Sequence, residues 1–287
     1  MVRFLALVCI RTLPRGYAKV ARLLASWLPS LRDVPLDLEL PAGATIRADL
    51  RESVFIPLAR YGCYPHQLAE DRTVYRLIKP RDTVWDVGAN IGYTALIYEA
   101  AAGPEGRVLA FEPSPRAYGF LQRTVGQRPC IEAFELALGN YEGEVTFREE
   151  SFLDTSSLVE GEPTDGDVVV RAARIDDLVF RDSYPAPDFL KVDVEGHEAA
   201  VFEGARQLIS RISPLIEFEA LTRPLRDHVI ALLDEASDGT QGYRYYGFEQ
   251  QTGRLLPVAE LKHGTSTNNY LALTRAHEEP LRSKLLA

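Results

Sequence analysis

From residue 82 onward, short β-branched or apolar runs alternate with segments whose apolar residues recur at helical spacing. Thr83–Val87 predicts a strand, Tyr93–Ala102 a helix stopped by Gly103-Pro104, and Arg107–Phe111 the next strand. Ser114 and Pro115 supply an N-cap and a first-turn proline for a helix to about Val125, and Ile131–Leu138 predicts a third strand. Between 143 and 174 the pattern changes to short alternating stretches, EVTF and VVVRA, separated by polar turns that include Ser156 and Ser157. This predicts an inserted hairpin or meander. Asp188–Val194 resumes the main series as a strand, followed by a helix with Val201, Ala205, Leu208 and Ile212 on one face. Pro214–Phe218 predicts another strand, Pro224 opens a helix, and late strands are expected near Tyr243–Phe248 and Asn269–Leu273. Strands joined by crossover helices imply a doubly wound, mostly parallel α/β sheet covered on both faces.

The amino-terminal segment does not follow this alternation. Its uncharged run, Phe4–Ile10, is far short of the roughly 20 residues that cross a bilayer, and it makes a poor secretory signal. After Pro14, the apolar residues Tyr17, Val20, Leu23, Leu24, Trp27 and Leu28 recur at helical spacing among Arg15, Lys19 and Arg22. Residues 14–28 are therefore a basic amphipathic helix, either packed on the main domain or resting on an anionic membrane surface. Pro29, Pro35 and Pro41 mark a linker. The expected division is an extension over 1–44, a main domain over 45–275 with its insertion at about 143–174, and a tail over 276–287.

Charge sharpens this division. The 287 residues carry 32 basic and 41 acidic side chains, a net of −9, yet residues 1–32 hold six basic and no acidic ones. The acidic balance argues against a nucleic-acid backbone as partner. Cys9, Cys63 and Cys130 are odd in number, far apart and form no CxxC pair, so neither a disulfide scaffold nor a structural zinc site is expected. The expected setting is cytoplasmic, with a possible peripheral position on the inner face of a membrane.

Two strand ends carry the chemistry. Asp86-Val87-Gly88-Ala89-Asn90-Ile91-Gly92 joins the first strand to its helix, where glycines let backbone approach a ligand and a helix amino terminus offers unpaired N–H groups. A dinucleotide fold wants a glycine where Asn90 stands, and Asp86 at that edge would repel a pyrophosphate. The turn suits instead a cofactor carrying a cationic amine and a sulfonium. Glu112, 20 residues beyond Gly92 at the next strand end, can accept hydrogen bonds from both hydroxyls of a ribose. The second edge is Pro187–Glu198, where Lys191 and Asp193 interrupt a strand expected to be apolar throughout. Buried charges are costly unless paired or used. Lys191 reads as a structural partner and Asp193 as functional, with Glu217 and Glu219 repeating the pattern on the next strand.

DVGANIGYTAL at 86–96, FEPSP at 111–115, ALGN at 137–140, RIDDL at 174–178 and DFLKVDVEGHEAAVFEGA at 188–205 together resemble the FkbM-type S-adenosylmethionine-dependent methyltransferases. The resemblance spans roughly residues 45–275. It implies a class I, Rossmann-like sheet of seven strands whose last strand is antiparallel. It also implies that Asp86, Gly88, Asn90 and Gly92 contact the methionine end of S-adenosylmethionine, that Glu112 takes the ribose, and that Ala137 and Leu138 lie near the adenine. Members methylate hydroxyls on sugars, glycolipids or polyketide-type products, so a small-molecule or glycan acceptor is expected. The family often has a glycine, an aromatic and a glutamate before the first strand; here Gly62-Cys63-Tyr64 runs into Pro65, so that carboxylate is missing or displaced to Glu70.

An aliphatic hydroxyl needs a base as it attacks a methyl group, and Asp193 and His197 are the two candidates. His197 is also a candidate helix cap. Glu195 and Glu219 could instead join Asp193 around a divalent cation, the less favoured arrangement. Two rival readings stay open: a nicotinamide-dependent oxidoreductase on the same sheet, and a non-catalytic module that binds cofactor or sugar.

Overall fold

The computed structural model of the chain describes residues 7–8, 10–12, 16–37, 44–148, 157–158, 167–237, 242–261, 266–279 and 281. The helix Tyr17–Trp27 is followed by an antiparallel pair, β1 (Val34–Asp37) and β2 (Thr45–Ala48). The expected linker is thus partly strand. Pro35 is accommodated because a two-stranded ribbon is all edge, where a missing N–H costs little. Val34, Leu36, Ile46 and Ala48 are buried in the main core, so the ribbon is packed in place; Pro41 lies outside the described residues.

After the helices Phe55–Tyr61 and Leu68–Leu77 come β3 (Thr83–Val87), β4 (Arg107–Phe111), β5 (Ile131–Phe134), β6 (Ala137–Leu138), β7 (Gly143–Arg148), β8 (Ser157–Leu158) and β9 (Asp167–Ala173). The chain continues through β10 (Phe189–Val192), β11 (Leu215–Glu219), β12 (Arg244–Glu249), β13 (Leu255–Pro257) and β14 (Ser266–Leu273). The main sheet has eight strands in the order β13-β12-β14-β11-β10-β3-β4-β5. The strands from β11 to β5 are mutually parallel, and β14 runs antiparallel to both its neighbours. These match the seven expected strands with the last one reversed; β13 adds an eighth at the β12 edge.

Alternation across the strands feeds two cores. Val84, Val108, Phe189 and Leu271 face the helices Tyr93–Ala102 and Pro115–Val125, while Trp85, Leu109, Leu190 and Ile216 face the helices Glu198–Glu203, Arg206–Arg211 and Arg223–Ala236. The Pro115 helix begins as expected, with Ser114 Oγ accepting from the Ala117 N–H at 3.1 Å.

Three local expectations need correction. The third strand ends at Phe134, because Ala137 and Leu138 leave the β4 ladder to pair with β9 in a separate four-stranded sheet, β6-β9-β7-β8. Ser157, expected in a turn, lies in β8, and Ser156 lies outside the described residues. The helix after β10 is two short helices. At the break, a side chain on Gly204 would meet the Gly139 carbonyl at 1.9 Å, so the chain pivots there to dock against that turn. The pivot rotates the second helix, burying Ile209 and leaving Ile212 exposed.

Candidate active site

A cleft opens at the carboxyl ends of β3, β4 and β10, where parallel sheets usually hold ligands. Its walls include Gly88, Asn90, Glu112, Ala137, Leu138, Asp193 and His197. Asp86 and Gly92, the other two residues expected to touch a cofactor, are not in the lining. A larger cavity of about 680 Å³ sits at the opposite ends of β3, β10 and β11, among Arg76, Lys79, Asp82, Asp188 and His277. Size does not choose between them. The smaller cleft alone combines strand carboxyl ends, positive-φ turns and converging carboxylates.

The glycine-rich turn is shaped chiefly by close packing. Gly88 has φ +85°, and a Cβ there would meet the Asp193 carbonyl oxygen at 1.8 Å, so only glycine lets the turn lie against the end of β10. Asn90 also adopts positive φ, at 48°, a region asparagine tolerates better than most residues. Gly92 opens the helix Tyr93–Ala102, and a Cβ there would press on Leu121 at 2.8 Å; it serves helix packing beneath the cleft. Asp86 is fully buried, accepts from the Thr94 hydroxyl at 2.7 Å and lies 3.9 Å from Lys191 Nζ. Burial raises its pKa against the pull of Lys191. It is therefore a support under the turn.

Glu112 is held by two backbone donors, Asn90 N–H at 2.8 Å on Oε2 and Ser114 N–H at 2.9 Å on Oε1. Each carboxylate oxygen keeps a second acceptor direction. Burial pushes its pKa from 4.5 up to about 7, against the lowering effect of those two N–H groups. Between those values the folded chain binds more protons than the unfolded one, so this carboxyl makes stability fall as pH rises through that window.

Past β10 the loop carrying Asp193, Glu195 and His197 turns through positive φ at Glu195 (53°) and Gly196 (99°). Buried Glu198 fastens it, accepting from the Val194 and Gly196 N–H groups at 3.1 Å each. Asp193 Oδ2 accepts from Lys191 Nζ at 2.8 Å. His197 occupies an N-cap position, but its side chain makes no cap, so the capping role is not taken. Asp193, Glu195 and Glu219 bring one carboxylate oxygen each within 4.8 Å of one another. Burial, with Asp193 and Glu195 nearby, pushes the Glu219 pKa up to about 9, which keeps it protonated near neutrality.

Two contributors were not read from the sequence. Phe147, buried on β7, brings the inserted sheet to the cleft beside Leu138; its apolar place in EVTF was the available signal. Glu198 was visible only as one acid among several. Glu70, the suggested displaced carboxylate, is not in the cleft lining: it is buried, accepts from Asn269 Nδ2 at 2.6 Å, and burial raises its pKa to about 7.

The methyltransferase FkbM domain matches residues 86–248, more than half the chain and nearly every element of the cleft. The chain belongs to this family. Among curated relatives of this FkbM-domain chain, hexuronic acid methyltransferase AglP of Haloferax volcanii is 30% identical over 162 residues, 56% of this chain and 64% of that protein. The 2-O-methyltransferase NoeI of Sinorhizobium fredii is 24% identical over 151 residues, 47% of this chain and 62% of that one. The FkbM-domain chain thus spans just under two thirds of the length of either relative. Among solved structures, methyltransferase FkbM from Methylobacillus flagellatus superposes with a TM-score of 0.46 at 16% identity, covering 90% of this chain and 60% of that chain.

Proposed function

We propose that this chain transfers a methyl group from S-adenosylmethionine to a hydroxyl of a sugar, glycolipid or polyketide-type molecule. The observation that carries the reading is the convergence of Gly88, Glu112 and Asp193 on one cleft in an FkbM-domain chain. A sugar acceptor is supported by the relatives, one a hexuronic acid methyltransferase and the other a 2-O-methyltransferase. A nicotinamide-dependent oxidoreductase does not accord with the family.

The residues fit such a cofactor. The open acceptor directions of Glu112 suit ribose hydroxyls, and Ala137, Leu138 and Phe147 offer an apolar slot for a flat base. Asp193 and Glu195 give the other end an acidic wall suited to a sulfonium. When bound, the cofactor supplies an electrophilic methyl group. The protein's task is then to align the acceptor oxygen, exclude water and take the hydroxyl proton. Asp193 is proposed as the base, held in place by Lys191, with protonated Glu219 beside it as a hydrogen-bond donor to it. His197, on the same wall, is the alternative base. A divalent cation among Asp193, Glu195 and Glu219 would have to compete with Lys191 for Asp193 and displace the proton from Glu219.

Glu112 gives the cofactor reading a direct check. Glu112→Gln is expected to weaken S-adenosylmethionine binding about 10- to 100-fold, the cost of a charged hydrogen-bond acceptor. Because its carboxyl titrates near pH 7 before the ligand arrives, wild-type affinity should rise between about pH 6 and about pH 8 with release of a proton. Calorimetry in buffers of different ionisation enthalpy measures that proton, and a Gln variant releasing as many would remove Glu112 from the ribose site.

No helix among the described residues is long and apolar enough to cross a membrane. The decisive experiment incubates purified protein and methyl-labelled S-adenosylmethionine with a panel of hydroxylated glycans and glycolipids. Labelled methyl ether and S-adenosylhomocysteine are expected. Binding without turnover on any acceptor would favour a non-catalytic module, and no binding at millimolar cofactor would overturn the proposal.

A further inference from the structure

The helix Tyr17–Trp27 is packed the wrong way round for an ordinary surface helix. Its buried stripe is Ala21 and Ala25, small residues that let the helix approach the body closely, with Tyr17, Ala18, Leu24 and Leu28 leaning on the core. Three of its large apolar residues point outward: Trp27 is 79% exposed, Leu23 60% and Val20 37%. Spaced three and four apart, these three form one continuous outer ridge. Exposed Lys19 stands four residues before Leu23 on that same outer face. Single exposed apolar residues need no explanation, but an aligned tryptophan, leucine and valine beside a cation do.

From this ridge we infer that the helix lies on an anionic lipid surface, with Leu23 and Trp27 entering the headgroup–acyl boundary. Charge selects this occupant. Residues 1–32 carry six basic and no acidic side chains, whereas the remaining 255 carry 26 basic against 41 acidic, a net of −15. An anionic bilayer therefore repels the body on balance and attracts this segment, which both binds the protein and orients it. The chemistry of the ridge agrees. Indole prefers the membrane interface, and a lysine beside it can lay its stem along apolar surface while its ammonium reaches the headgroups. A second copy of the chain covering the ridge by a two-fold contact would set one basic segment against the other. The inference stands independently of the methyl acceptor.

The test uses the full chain and sedimentation with vesicles of phosphatidylcholine alone or of equal parts phosphatidylcholine and phosphatidylglycerol. Binding is expected only to the anionic vesicles, with loss at high salt. Tryptophan emission should shift to the blue on binding. Trp85 is fully buried and has no water to lose, so Trp27 reports. Leu23→Asp, a change at an exposed position, should weaken binding at least about tenfold, or about 1.4 kcal/mol, and Trp27→Ser should weaken it in the same sense. Equal binding by the Leu23→Asp variant, absence of binding at low salt, or a dimer in solution that Leu23→Asp dissolves would each overturn the inference.

Discussion

An Asp193→Asn variant is expected to lose about 10²- to 10⁴-fold in kcat, the range over which a positioned base accelerates proton transfer. The asparagine keeps the shape of the side chain and an oxygen for Lys191 Nζ, now 2.8 Å away, but cannot take a proton. Cofactor affinity should change little, because the loss falls on a step made only during reaction. His197→Gln is the paired measurement. If Asp193 is the base, the histidine variant keeps most of its kcat; if His197 is, the two results exchange places. Undiminished turnover by Asp193→Asn would take this residue out of the chemistry and return the proton to His197.

Much of this arrangement was legible before any coordinates. Thr83–Val87, Tyr93–Ala102, Arg107–Phe111 and Pro115–Val125 are observed with the expected bounds, because each has strong punctuation: a glycine turn, Gly103-Pro104, or a serine cap before a proline. What escaped was decided by contacts distant in sequence. Nothing local to Ile131–Leu138 shows that Ala137 and Leu138 find their ladder partner on β9, more than 30 residues on. The break at Gly204 depends on the carbonyl of Gly139, and Pro35 enters a strand because β2 supplies a partner. The site divides in the same way. Strand-end position brought Gly88, Glu112 and Asp193 to one cleft, but periodicity cannot tell a side chain on a cavity wall from one beneath it. Asp86 and Gly92, expected at the same place, are outside the lining of that cleft. Phe147 reached the cleft only through the inserted sheet. The amino-terminal helix shows a different shortfall: one hydrophobic pattern fitted two faces, and the small alanines won the inner one.

Lys191→Met should be the most destabilising of these substitutions, by about 3–5 kcal/mol near neutral pH, the range seen when one partner of a buried ion pair is removed. The sheet register explains why. Asp86, Lys191 and Glu217 stand side by side on β3, β10 and β11, a charged row crossing the middle of a buried sheet. All three are nearly inaccessible to solvent. Burial works to lower the Lys191 pKa, but the carboxylates of Asp193, Asp86 and Glu217 outweigh it and raise it. Its stabilising contribution is therefore fully present below the unfolded value of 10.5 and is lost only as pH rises through the higher folded value. Methionine keeps the volume of the side chain and removes the cation, leaving Asp86 and Glu217, which burial already disfavours in their charged form, without it. Asp86 and Glu217 have raised pKa values even with Lys191 present, and the substitution should raise them further. The folded variant then binds more protons than the unfolded chain above the ordinary carboxylate range, so its stability falls as pH rises. Urea unfolding at about pH 5 and about pH 8 should accordingly show the gap to wild type widening with pH. Adding Asp86→Asn to Lys191→Met removes one stranded charge and should recover part of the loss, a non-additivity expected only of groups in direct contact. A Lys191→Met chain as stable as wild type at neutral pH, or a gap that narrows as pH rises, would mean that the three strands do not share a charge balance.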